Sequence, residues 1–269
     1  MKAEGLQPSG AFKLRGATNA VRALQPTAVV TASSGNHGLA LAMAANAAGI
    51  KCTVVMPEGS SPLKTQRIEA AGAEVIECEA STPARESAAQ RVCAARNVTL
   101  IPPYDHPLVM AGQGTCGLEI MQDAPDTAMV VVPVGGGGLL SGILTIIKDR
   151  SPAIRVIGVE PEGADDTRRS LDKGERVFID YSETICDGVR AQTPGALTFP
   201  IIQTLVDDIV VVTDNEVRAA MGLIVESGLT PEPSGALSVA GALAVSAPEA
   251  TVCVVSGSNI SVADLHRLL

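Results

Sequence analysis

Lys13 is one of only six lysines in this chain of 269 residues. It alone among them sits in a cramped, apolar setting, with Ser9-Gly10-Ala11-Phe12 before it and Leu14-Arg15-Gly16 after it. A lysine kept from water is pushed toward its neutral amine, and a neutral amine can form a Schiff base with an aldehyde. The segment also reads as a surface lysine at the start of a helix over Ala17 to Leu24. Four other stretches decide whether a carbonyl cofactor has a seat.

Thr31-Ala32-Ser33-Ser34-Gly35-Asn36-His37-Gly38 joins a strand to a helix N-terminus. Exposed N–H groups and the helix dipole make such a turn an anion site, and the serines and Asn36 add side-chain donors. An ordinary N-cap with loop serines is the alternative. Val134 is followed by Gly135, Gly136, Gly137, Gly138 and Leu139, after a buried strand and before a helix. Glycines let the backbone close around a phosphate with its N–H groups inward. A dinucleotide fingerprint fails, because counting from Gly135 the third glycine position is Leu140. A single phosphate fits the loop better. Ser256, in Val255-Ser256-Gly257-Ser258-Asn259, ends the last strand, where α/β sheets bind ligands; a turn serine is the plainer reading. Glu160-Pro161-Glu162-Gly163-Ala164-Asp165-Asp166 could bind a hard divalent cation through oxygen, or be a solvated acidic loop.

The elements that must position these residues alternate. Strands are predicted at 28–31, 52–56, 74–78, 98–101, 127–134, 155–160, 209–212 and 251–255. Helices are predicted at 36–48, from Ser61-Pro62 to about Gly72, from Thr82-Pro83, at 108–122, from the glycine loop to 149, after a capping box at Thr213–Glu216, and after Ser261. The run 128–147 is uncharged and long enough to span a membrane, but Pro133 and the glycines break it into strand, turn and helix. The prediction is an α/β fold, two-lobed, with mainly parallel sheets flanked by helices. The lobes are drawn as 1–27 with 106–269, a large cofactor-binding domain, and 28–105, a small substrate-capping domain.

Nearly half the residues are apolar, at 46%, so the chain is globular rather than disordered. A net charge of −9, no Trp and few other aromatics argue against nucleic acid as a partner. Cys52, Cys78, Cys93, Cys116, Cys186 and Cys253 form no CxxC pair, which suits reduced thiols in a cytoplasmic protein. Met1-Lys2-Ala3-Glu4 opens no signal peptide, so a soluble protein without a membrane partner is expected.

Taken together and in order, residues 2–17, TASSGNHG (31–38), AGQGT (111–115), VGGGGL (134–139), EPEGADD (160–166) and SGSN (256–259) resemble the serine/threonine dehydratase and serine racemase family. These are pyridoxal-phosphate enzymes of the tryptophan-synthase-β fold type, fold type II. The resemblance runs over essentially the whole chain. It implies that Lys13 holds the cofactor covalently and is a base at the substrate Cα, with Phe12 beside the ring. Gly135 to Gly138 and the Leu139 N–H would cradle the phosphate, Asn36 would meet the ring 3-oxygen, and Ser256 the ring nitrogen. Ser33, Ser34, Gly35, Asn36 and His37 would bind the substrate carboxylate, with Arg85 near the substrate. Glu160, the Ala164 carbonyl and Asp166 would hold Mg²⁺, Ca²⁺ or Mn²⁺. The implied activity is β-elimination from L-threonine or L-serine to a 2-oxo acid and ammonia, in a homodimer.

Ser34 matches a serine that returns a proton in the racemases, so serine racemase or 3-hydroxyaspartate dehydratase is the alternative within the family. Family members carry several tens of residues before the Lys2–Glu4 strand that this sequence lacks, and the connection from Val21 to Val29 is shorter than usual. A truncated, non-catalytic protein that binds pyridoxal phosphate or an amino acid is therefore the alternative from another class. No segment after Leu269 suggests an appended regulatory domain.

Overall fold

A computed structural model describes residues 1–33, 35–180 and 182–269, with the backbone but not the side chains of Thr82 and Pro83. It divides the chain into two compact units, Met1–Phe12 with Gln113–Leu269, and Lys13–Gly112.

The first unit is built on five parallel strands: β1 (Lys2–Ala3), β6 (Met129–Pro133), β7 (Arg155–Pro161), β8 (Asp208–Val212) and β9 (Thr251–Val255), in the order β1-β9-β6-β7-β8. The second has four: β2 (Ala28–Ala32), β3 (Lys51–Pro57), β4 (Ala73–Cys78) and β5 (Thr99–Leu100), in the order β4-β3-β2-β5, again parallel. Parallel strands need crossovers, and helices supply them. These are α1 (Lys13–Leu24), α2 (Asn36–Ala47), α3 (Pro62–Ala70), α4 (Thr82–Arg96), α5 (Pro107–Asp123), α6 (Gly138–Arg150), α7 (Asp166–Lys173), α8 (Thr198–Leu205), α9 (Asp214–Glu226), α10 (Pro233–Ala244) and α11 (Val262–Leu268).

In the first unit both sheet faces are covered, which is why β6 reads as one unbroken apolar run with every residue buried. Leu140, Ile143, Ile147 and Ile202 pack on one face, and Val217, Met221, Ile224 and Leu237 on the other. In the second unit Val29 joins a core with Ala17, Val21 and the α2 residues Leu39 and Leu41, while Val30 faces Ala88 and Ala89 of α4. Successive residues of β2 thus serve opposite layers, as the pleat requires.

The lobe boundaries predicted from sequence shift. Residues 13–27 and 106–112 belong to the second unit, because Ala17, Ala20, Val21 and Val109 are buried in the α2 core. A glycine explains how closely these pieces pack: a Cβ on Gly112 would stand 2.6 Å from Gly16 Cα. The capping box at Thr213 and Glu216 and the Ser261 cap on α11 are as expected. Ser61 precedes α3, but its side chain makes no cap bond. Helices α7, α8 and α10 were not legible: α7 and α8 lie in or near the polar middle stretch, and α10 is small and apolar on every face. No helix among the described residues is long and apolar enough to cross a membrane.

Candidate active site

Each sheet has one place where the strand order reverses, and ligands of open α/β sheets bind beyond the strand ends there. In the first unit the chain runs β6, β7, β8 to one side and returns as β9 on the other side of β6. Beyond β6 stands the glycine loop, and beyond β9 stands Ser256. The sequence placed each of them at a strand end; the topology makes them neighbours.

The loop is shaped for a backbone-lined cradle. Gly137 has φ +88°, and a Cβ there would lie 2.7 Å from Ile202 Cδ1 and 2.8 Å from Thr198 Oγ1. A Cβ on Gly135 would be 3.0 Å from Val189 Cα. The Gly136 carbonyl is turned away and accepts from the Thr198 hydroxyl at 2.7 Å and the Gly195 N–H at 3.2 Å. The N–H groups of Gly135, Gly136 and Gly137 meet no acceptor among the described residues. Gly138 and Leu139 open α6, so their N–H groups lack intrahelical partners by position. A phosphate would satisfy several of these donors together.

Ser256 is buried, and its hydroxyl donates to Ser234 O at 3.4 Å. The loop it heads is stitched to the segment leading into Lys13. Phe12 N–H donates to Ser256 O at 3.0 Å, Ser258 N–H to Gly10 O at 2.8 Å, and Asn259 Nδ2 to Ser9 O at 2.9 Å. Gly10, at φ +74°, would put a Cβ 2.3 Å from Asn259 Oδ1. Sequence reading missed Glu232, a buried carboxylate that accepts from the Asn259 N–H at 3.2 Å. The Glu232-Pro233 pair ahead of an apolar run was the signal that could have found it, since Pro favours the first helical turn.

In the second unit the reversal lies between β2 and β5. The turn Ser33–His37 follows β2, and Ile101-Pro102-Pro103 follows β5. Lys13 Nζ donates to Pro103 O at 2.7 Å, and the His37 Nε2–H is held by Ile101 O at 3.1 Å. Burial lowers the Lys13 pKa to about 8. It lowers His37 further, to about 3, with the nearby Lys13 charge acting in the same direction. Ser33 N–H donates to Val55 O, and Gly35 N–H reaches Ser33 Oγ at 3.4 Å. Gly38 lets the turn fold back, for a Cβ there would lie 2.6 Å from Ser33 O. Asn36 is the first residue of α2; Ser34 lies outside the described residues.

Arg85 is in the first turn of α4. It follows β4, two strands from β2, and lines a cavity of about 360 Å³ with Glu58, Ser60, Ser61, Lys64 and Ser81.

At the acidic turn, Glu160 is fully buried and accepts from the N–H groups of Thr167 at 3.0 Å and Arg168 at 2.8 Å, capping α7. Asp166 is buried too, and neither of its oxygens has a partner among the described residues. Burial raises both carboxyl groups, and for Asp166 the Glu160 charge adds to it. Ala164 is buried in the turn between them. Two orphaned carboxylate oxygens beside a second carboxylate suit a hard cation. The described residues hold no cluster of three His, Cys, Asp or Glu side chains, so the carbonyl of Ala164 would have to complete the set.

Residues 1–257 match the family model described as pyridoxal-phosphate dependent enzyme. The chain belongs to this family. The enzyme is 41% identical over 269 residues to the L-threonine ammonia-lyase of Geobacter sulfurreducens, across 97% of this chain and 67% of that one. It is 42% identical over 274 residues to the serine racemase of Homo sapiens, across 96% of this chain and 80% of that one. Its fold is similar to maize serine racemase, with a TM-score of 0.94 at 36% identity, covering 98% of this chain and 84% of that one. The enzyme therefore has the fold-type-II architecture, and pyridoxal phosphate is its cofactor.

Proposed function

We propose that the enzyme removes water and ammonia from L-threonine or L-serine, giving a 2-oxo acid. What supports this reading is a glycine loop in which the N–H groups of Gly135, Gly136 and Gly137 meet no acceptor among the described residues, together with a desolvated Lys13 that follows directly on Phe12. Pyridoxal phosphate, when bound, supplies an aldehyde for the substrate amine and a ring that draws electron density from Cα.

The chain's own residues do the rest. Gly135 to Leu139 would hold the phosphate through their N–H groups, and Ser256 would offer the ring nitrogen a neutral hydroxyl. Phe12 would pack beside the ring, and Asn36 would meet its 3-oxygen. Lys13, with its pKa lowered to about 8, would anchor the cofactor and serve as the general base at the substrate Cα close to its operating pH. Ser33, Gly35 and Asn36, with the N-terminus of α2, receive the substrate carboxylate. Glu160, Ala164 O and Asp166 would hold a divalent cation at the β7–α7 turn. Arg85 would stand near the substrate.

Racemisation of serine is the second reading, favoured by the match of residue 34 to the proton-returning serine and by the racemases among the relatives. Dehydration of 3-hydroxyaspartate is a variant of the first. A homodimer goes with either reading.

The purified protein should be yellow, and borohydride should fix the chromophore on the peptide containing Lys13. L-Serine, L-threonine, D-serine and 3-hydroxyaspartate are then supplied while 2-oxo acid and chirality are followed. Oxo acid without D-serine supports the lyase, and D-serine without oxo acid the racemase. A protein that binds the cofactor and turns over none of them would favour the non-catalytic binding reading.

A further inference from the structure

The imidazole of His37 has a fixed proton. A carbonyl oxygen only accepts, so the hydrogen bond to Ile101 O at 3.1 Å places the hydrogen on Nε2. The ring is 2% exposed and neutral, so Nδ1 is a bare lone pair. Nδ1 is buried and has no partner among the described residues. An acceptor left so is costly, on the order of 1–3 kcal/mol, unless a ligand or water completes it.

The surroundings narrow what that ligand is. Thr31 lies in β2, and Ile101 continues the register in which Val30 pairs with Leu100, its N–H donating to Val30 O at 2.9 Å. His37 is thereby held at the corner where β2 and β5 part, close enough to Lys13 to feel its charge. Thr31 Oγ1, fully buried, is a second polar atom without a partner among the described residues. A bare nitrogen repels a carboxylate and welcomes an O–H or N–H. Of the polar groups on serine or threonine, the carboxylate is acceptor-only and the amine is consumed by the cofactor aldehyde. The β-hydroxyl remains.

We propose that His37 Nδ1 accepts a hydrogen bond from the substrate's β-hydroxyl, so that His37 is the residue that distinguishes hydroxy amino acids from their deoxy counterparts. This rests on the function proposed above and assigns His37 a different part from Asn36, which serves the carboxylate. An acceptor on the hydroxyl hydrogen also leaves electron density on the oxygen and opposes C–O cleavage. His37 thus favours retention of the hydroxyl over its loss.

Two measurements test this. In protein labelled with ¹⁵N at histidine, two-bond ¹H–¹⁵N spectra of the unloaded chain should show His37 as the Nε2–H tautomer throughout the neutral range. A proton on Nδ1 overturns the proposal whether or not the cofactor binds. In the loaded enzyme, rapid-mixing absorbance titrations compare L-serine with L-alanine, which differ by the hydroxyl. Serine should bind about five- to tenfold more tightly, the worth of one hydrogen bond. That preference should vanish in His37→Phe, which keeps a ring without an acceptor, and return in part in His37→Asn, whose amide oxygen can accept. The share of L-serine lost to oxo acid, relative to Cα–H exchange, should rise in His37→Phe. An unchanged serine-to-alanine ratio in that variant would overturn the proposal and leave Nδ1 serving only a buried water. A chain that takes up no cofactor defeats the underlying functional reading, and the hydroxyl assignment with it, while the tautomer result still stands.

Discussion

Lys13 Nζ donates to the carbonyl oxygen of Pro103 at 2.7 Å, across 90 positions of sequence. Neither Pro102 nor Pro103 has an N–H, so the segment after β5 offers acceptors and no donors of its own there. It docks the ammonium of Lys13 and, through Ile101 O, the imidazole of His37.

The docked ammonium has a consequence for pH. Burial holds the Lys13 pKa at about 8, below the 10.5 of a free lysine. The unfolded chain then binds this proton more tightly than the folded one, so stability rises with pH between those two values. Lys13→Met should make the unloaded protein more stable near neutral pH, by on the order of 2 kcal/mol. It should also flatten the rise. Urea unfolding at a series of pH values reads both effects, and a parallel pair of curves would contradict the buried pKa.

Cofactor uptake should follow the same titration. The neutral amine is the nucleophile, so the rate of chromophore formation is expected to climb with pH and level off above about 8. Stopped-flow absorbance gives the midpoint, and a midpoint near 10.5 would show Lys13 to be solvated.

Gly137→Ala adds a methyl at φ +88° against Thr198 and Ile202. The loop must move, and its N–H groups with it. Affinity for pyridoxal phosphate should fall by about tenfold or more, with a stability loss of about 1–3 kcal/mol. Equilibrium dialysis and thermal unfolding separate the two effects.

Removing a charge at Asp166 tests the cation. The two orphaned oxygens predict that Mg²⁺ or Ca²⁺ raises the melting temperature of the wild-type chain by several degrees. Asp166→Asn should lose that response and, without metal, be at least as stable as the wild type, because an unpaired buried carboxylate is gone. A wild-type melting curve indifferent to EDTA and added metal would remove the site.

The stitch between Ser9–Phe12 and Ser256–Asn259 is tested by Asn259→Ala, which deletes the bond to Ser9 O. A loss of about 1 kcal/mol is expected, together with weaker cofactor retention, because Lys13 follows directly on this segment. Thermal unfolding and the rate of cofactor loss on dilution measure the two.

Sequence by itself determined the class of fold and the chemical parts. Alternating apolar strands and capped helices follow from local patterning, so the β6 run, the Thr213–Glu216 box and the glycine loop were legible. Lys13 was marked by its cramped setting, and the ordered motifs fixed the family. Tertiary structure decided which parts meet. Strand order is a non-local property: the reversals beside β6 and β2 put Ser256 next to the glycine loop and set Pro103 and Ile101 against Lys13 and His37. Nothing in the sequence near Arg85 reveals that β4, the strand before its helix, lies two places from β2. The unit boundary also moved, because Ala17, Val21 and Val109 bury against α2 whatever their distance along the chain. Local pattern tells which residues must be buried or capped, but the partners that bury and cap them are chosen by packing of the whole sheet.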